Sequence, residues 1–194
     1  VARLLVSSGN HDGDARTVTQ ESICRWLPDV RAETLNVDGD SVEIGETLVT
    51  VCPWWDGEET QAKVERLLLR ESLRKKRRWV WIHHSPPAGS PVSWTGMKSA
   101  GDVVLTAWIA RFAPDLVLSG HIHNAPFYAE GAWVDRLGET WVFNAGRQIG
   151  QEPSHVILDL DAMTARWVSV EEDLTRDLAA PGAVTSADAG AAGA

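Results

Sequence analysis

Cysteine is scarce in this chain. Cys24 and Cys52 stand far apart, form no CxxC pair and flank no histidine cluster. That argues against a thiolate zinc site, allows one disulfide at most, and fits a reduced, cytoplasmic protein. Long apolar runs are also missing, so no membrane span is expected, and no signal-peptide pattern opens the chain. Positive charge is in deficit: the net charge is −9. No global basic field is available to hold nucleic acid, and an anionic substrate would have to be attracted locally by metal ions or a few arginines. Tyrosine (one) and phenylalanine (three) are few, yet there are ten tryptophans. The remaining composition, 44% hydrophobic and 23% charged over 194 residues, is that of one globular domain able to bury a core.

Local patterns divide the chain into strands, helices and loops. Arg3 to Ser8 reads as a short buried strand. Asp14 is placed to cap a helix running to about Trp26, with Val18, Ile23 and Trp26 inward and Pro28 after its end. Alternation from Ser41 to Val51 around Gly45-Glu46 predicts a hairpin. The clearest helix spans Glu59 to Lys76, with Val64, Leu67, Leu68 and Leu73 on one side and Arg66, Arg70 and Arg74 on another. Trp79 to Ile82 is a buried strand, Ser85 to Gly101 a long loop, Asp102 to Phe112 a helix, and Asp115 to Ser119 another buried strand. Two hairpins follow, Ala132–Arg136 with Thr140–Asn144 and Val156–Leu160 with Ala165–Val170. This order predicts an α/β fold, two sheets face to face with helices outside, over residues 1–178. Residues 179–194 are Ala/Gly-rich and are expected to be a disordered tail.

Against this background the histidines are concentrated. Five of the six fall in three motifs, Gly9-Asn10-His11-Asp12, His83-His84-Ser85-Pro86-Pro87 and Gly120-His121-Ile122-His123. Each motif closes an apolar run, and polar groups at strand ends are where open α/β sheets build sites. Imidazole suits zinc, iron, manganese and nickel, and Asn10 offers a neutral carbonyl oxygen. His84, His121 and His123 can join it, and two ions about 3.5–4 Å apart would clamp a phosphoryl group and activate water. His11, held protonated by Asp12, is placed as a general acid. Singly, each motif also has a structural reading: a turn, a strand end before proline, a packed His-x-His. Their joint occurrence favours the metal site.

In this order the motifs resemble the calcineurin-like metallophosphoesterases, which carry Gly-Asn-His-Asp/Glu, a His two residues before a proline, and Gly-His-x-His. Asn144-Ala145-Gly146 resembles the downstream Asn-x-Gly. The resemblance runs to about Val170. It implies a two-sheet metallophosphoesterase-type sandwich and metal-dependent hydrolysis of a phosphomonoester or phosphodiester by metal-activated water. It implies two divalent ions (Mn, Fe or Zn) in the complete site. Asn10, His84 and His121 would bind one ion and His123 the other, while His11 with Asp12 would protonate the leaving group. His84 is preferred over His83 because it stands two residues before Pro86; His83 is expected to be packed. The family's Asp-x-His and Gly-Asp-x-x-Asp motifs do not precede Gly9, so the domain is expected to be N-terminally truncated. Self-association through an exposed sheet edge is expected to accompany that. Two other readings stay open, a truncated or degenerate domain that binds one metal or a partner without turnover, and a mononuclear zinc hydrolase using His84, His121 and His123. Trp54, Trp55 and Trp94 lie in loops that border such a site or pack at its rim. Trp79, Trp81, Trp108, Trp141 and Trp167 are expected in the core, and the basic run Arg74–Arg78 on a solvated face.

Overall fold

In the computed structural model, residues 2–179 are described. The expected tail lies outside them, apart from Ala179. Strand β1 (Leu4–Leu5) leads into the Gly9–Asp12 loop. A small hairpin, β2 (Ala15–Arg16) and β3 (Ser22–Ile23), precedes the short helix α1 (Trp26–Asp29) and strand β4 (Leu35–Asn36), which returns to pair in parallel with β1. Hairpin β5 (Ser41–Ile44) and β6 (Thr47–Val51) is followed by α2 (Glu58–Ser72), β7 (Arg78–Ile82), α3 (Val103–Phe112) and β8 (Leu116–Ser119). Next come the hairpin β9 (Val134–Leu137) and β10 (Thr140–Asn144), then β11 (His155–Asp159), β12 (Thr164–Val168) and β13 (Asp173–Asp177).

The central sheet has the order β5-β6-β7-β8-β10-β9. Its strands β6, β7, β8 and β10 run parallel, so their C-terminal ends share one edge. Alternation sends side chains to the two faces. On one face Leu48, Trp79, Trp81, Val117 and Val142 pack against Val64 and Leu68 of α2 and Leu105, Trp108 and Ile109 of α3. On the other, Val49, Val80, Leu116, Trp141 and Phe143 pack with Ala165 and Trp167 of β12, with Leu5, Val156 and Leu158 alongside. The fold is therefore mixed α/β, with several sheets and few helices, consistent with an α/β sandwich. The five tryptophans expected in the core are all buried. Each large apolar side chain so placed contributes roughly 1.5–3 kcal/mol over exposure.

The layer opposite the helices is in two pieces, the β1-β4 pair and the sheet β11-β12-β13. Among the described residues β1 pairs only with β4, and β11 only with β12. Ile82 and Leu118, side by side on the central strands, stay half-buried. No helix among the described residues is long and apolar enough to cross a membrane.

Two expectations need correction. Residues 14–25 form no helix. The β-branched run Thr17-Val18-Thr19 disfavours one, the segment folds as the β2–β3 hairpin with Gln20 at φ 67°, and Val18 is 96% exposed. Helix α2 stops at Ser72, and Leu73, assigned to its inner side, is 88% exposed. Strands β4 and β13 have no counterpart in the sequence reading. The basic run is mostly paired. Arg74 bonds Glu71 and Glu43, Arg77 bonds Glu46, and Lys76 donates to the carbonyls of Glu71, Ser72 and Arg74 as the chain leaves α2.

The hairpin that replaces the expected helix has its own use. Glu21 accepts hydrogen bonds from the amides of Glu59 and Thr60 and from the Thr60 hydroxyl, at 2.9, 2.8 and 2.7 Å, capping α2 where Gly57 offers no side chain. Desolvation pushes its carboxyl up, but the bonds from Thr60, Glu59 and Thr19 outweigh it and hold Glu21 below the ordinary glutamate range. A depressed carboxyl contributes stability above its unfolded value and loses it as pH falls through the folded one. The Glu21→Gln variant should therefore melt lower than wild type at pH 7 and converge on it in acid. Equal melting curves at both pH values would refute this cap.

Candidate metal centre

The three histidine motifs meet at the shared C-terminal edge. His84 follows β7, His121 follows β8, and Asn10 follows β1. His84 Nε2 lies 3.1 Å from Asn10 Oδ1 and 3.1 Å from His121 Nδ1. The His84 and His121 rings are 4.9 Å apart between centroids. His11 and His123 are exposed at the rim, near enough that their charge weighs on both inner imidazoles. Asp12 turns away from the expected role: its Oδ2 accepts from the Gly9 amide at 2.7 Å, and no hydrogen bond joins it to the His11 ring among the described residues.

Each donor has a distinct local cause. Gly9 lets β1 approach β7, because a β-carbon there would lie 2.7 Å from His84 Cε1. The turn after β1 is anchored at several points. Ser7 Oγ donates to Cys52 O at 2.8 Å, Ser8 N to Asp38 Oδ1 at 2.9 Å, and Trp54 N to Ser8 Oγ at 3.0 Å. Burial raises the Asp38 carboxyl in spite of its Ser8 bonds. His83 is 1% exposed and stacks on Trp55 at 3.8 Å and 4°. The Trp55 indole donates to Asp102 Oδ2 at 2.9 Å, and Asp102 Oδ1 caps α3 through Val104 and Leu105. His83 is thus a packed residue that sets the direction of the next one. Neither of its ring nitrogens has a hydrogen-bond partner among the described residues, although the carbonyls of Cys52 and Pro53 stand close enough to oppose slightly the burial that drives it down to about 3.

His121 has a left-handed backbone, φ 62°, where a side chain costs about 1–2 kcal/mol. The Ile122 amide donates back to Gly120 O at 2.7 Å, closing a γ-turn around it. That bend points His121 at His84, which an extended strand end would not. Trp54 closes one side, with ring centroids 5.8 Å from His84 and 5.9 Å from His121.

The donor chemistry suits a cation. One ring nitrogen carries at most one proton. Protonated, His84 Nε2 has one hydrogen for two acceptors; unprotonated, it faces the Asn10 oxygen lone pair to lone pair. Donors bound to one ion at about 2.0–2.2 Å lie roughly 3–3.5 Å apart, which matches both 3.1 Å separations. Burial, then the neighbouring His121, holds His84 down at about 4, and burial likewise lowers His121, so both are neutral near pH 7. The set is two imidazoles and a carboxamide. Among the described residues no three His, Cys, Asp or Glu side chains group to hold a metal ion.

Sequence reasoning missed Asp38 and the grip of Asn144 on the His121 loop. Asp38 precedes Gly39-Asp40, which reads as the opening of the hairpin and gives Asp38 no role. Asn144 reads there as part of a motif without a role.

No family profile and no curated protein matches the chain by sequence. Among solved structures, one crystal structure superposes with a TM-score of 0.50 at 18% identity, covering 79% of this chain and 58% of its own. Another, of TT1561 from Thermus thermophilus, superposes with a TM-score of 0.42 at 16% identity, covering 75% of this chain and 60% of its own. The chain therefore spans less than two thirds of either. The first likeness shows a shared fold and nothing finer.

The pH behaviour of His84 tests this geometry. A depressed imidazole gives stability that is complete above the unfolded value of 6.5 and lost as pH falls toward about 4. In metal-free protein the NMR titration of His84 should sit near that lower value. In Gly9→Ala the added methyl should displace the ring and move its midpoint up toward the ordinary range. An unmoved midpoint would show that Gly9 does not set the approach.

Proposed function

We propose that the chain is the metal-binding part of a phosphoester hydrolase of the calcineurin-like metallophosphoesterase type, a two-sheet sandwich acting on a phosphomonoester or phosphodiester. The observation that carries this reading is the convergence of Asn10, His84 and His121 from three separate strand ends on one point. Asn10 Oδ1, His84 Nε2 and His121 Nδ1 would hold one divalent ion (Mn, Fe or Zn), and His123 would serve a second. Such ions, when bound, supply Lewis acidity and a nucleophile at neutral pH. His11, at the rim, would pass a proton to the leaving oxygen. Asp12 would act through the loop, by holding Gly9, and not by touching the His11 ring. Trp54 would exclude water from the imidazole pair.

The donor set favours one alternative. Two imidazoles and an amide make an incomplete shell, which suits a domain that binds a single ion or a partner without turnover. Zinc calorimetry and hydrolysis of a p-nitrophenyl phosphodiester separate the two. One ion per chain with weak metal-dependent turnover, both lost in His84→Ala, is the expected result. One ion without turnover would leave the binding-only domain, and no bound ion would reject both readings.

Self-association belongs to the same proposal, because among the described residues β1 pairs only with β4 and β11 only with β12, while Ile82 and Leu118 on that apolar face stay half-buried. Sedimentation should show a dimer or larger species that dissociates on dilution. A monomer at all concentrations would remove this part of the proposal.

A further inference from the structure

Asn144, the last residue of β10, is fully buried. Its Nδ2 donates to the Val92 carbonyl at 2.8 Å and to the Ile122 carbonyl at 2.9 Å, and its Oδ1 accepts from the Gly146 amide at 2.9 Å. Two amide hydrogens meet two carbonyls, so the donors of the carboxamide are all used. Ile122 is the residue between His121 and His123. Its loop is gripped at three points. The Gly120 amide donates to His84 O at 3.0 Å, the Arg147 amide to His123 O at 3.0 Å, and Asn144 holds the carbonyl in the middle.

We infer that Asn144 is a positioning residue for His121. It fixes the γ-turn at its left-handed centre and so sets the 3.1 Å approach of His121 Nδ1 to His84 Nε2. The inference rests on reading that approach as part of a divalent-metal site. The chemistry of the position is selective. An aspartate has the same shape but presents oxygens to the Val92 and Ile122 carbonyls, and an aliphatic residue leaves both carbonyls without a partner. The Val92 carbonyl belongs to the one-turn helix Pro91–Ser93 within the 85–101 loop. The same carboxamide therefore ties that loop to the histidine loop.

Asn144→Asp tests this, with zinc affinity measured well below the melting point of each variant. Affinity should fall about tenfold to a hundredfold, the usual effect of removing support behind a metal ligand, and the visible bands of the cobalt-loaded protein should change. In metal-free protein the imidazole cross-peaks of His84 and His121 should shift. A folded Asn144→Asp protein with wild-type zinc affinity and cobalt spectrum would overturn the inference even if it melted lower, because a merely structural role moves only the melting point. If the aspartate variant does not fold, Asn144→Ser keeps one donor and should lose affinity to an intermediate degree; unchanged affinity there also overturns it. If wild type binds no zinc, the metal reading fails by itself. The metal-free spectra then decide: shifted His84 and His121 signals in the variant sustain the positioning role, and unshifted ones end it.

Discussion

The His84 ring lies against the backbone of Gly9 at a distance that no β-carbon allows. The site depends on this contact. It brings the end of β1 against the end of β7, and so puts Asn10 within reach of His84. Close approach of this kind is one of the few things only glycine supplies. Burial there also holds the His84 imidazole neutral near pH 7.

The strain at the site is supported by the fold around it. His121 sits in a backbone region that side chains avoid, and its loop holds that shape only because surrounding groups over-determine it. Behind His84, a relay from the α3 cap through Asp102, Trp55 and His83 connects the imidazole to the helix layer. Behind Asn10, Asp38 and the two serines connect the loop to β4 and to the end of β6. The donors therefore project from loops but are held by buried groups, which is how a loop site acquires the precision of a rigid element.

The sequence carried part of this. Strands β6, β7 and β8 and helices α2 and α3 were legible because their apolar periodicity is strong and their caps or turns are explicit, as at Asp102 and Gly45. The gathering of Asn10, His84 and His121 was legible because each ends such a strand. Residues 14–26 misled because Asp14 and the spacing of Val18, Ile23 and Trp26 imitate a capped helix, while the decisive term was distant: Glu21 is drawn to the start of α2. Strand β4 is two residues long and exists through pairing with β1, a contact no local pattern encodes. The left-handed turn at His121 is equally hidden. It is fixed by Asn144 and Gly120, and without it the spacing of His121 and His123 predicts opposite sides of a strand.

The charge balance bears on what the site can meet first. The chain is net acidic, with Asp12 in the Gly9 loop and Asp38 buried behind it. The inner imidazoles, His84 and His121, are neutral near pH 7 and offer no positive charge to a phosphate. An anion approaching the bare donors would meet lone pairs and nearby carboxylates. A cation would meet three neutral donors. On the proposed function, Coulomb's law in a partly desolvated site would put a metal ion in place before any phosphoester, and substrate affinity would then be a property of the loaded centre and not of the polypeptide alone.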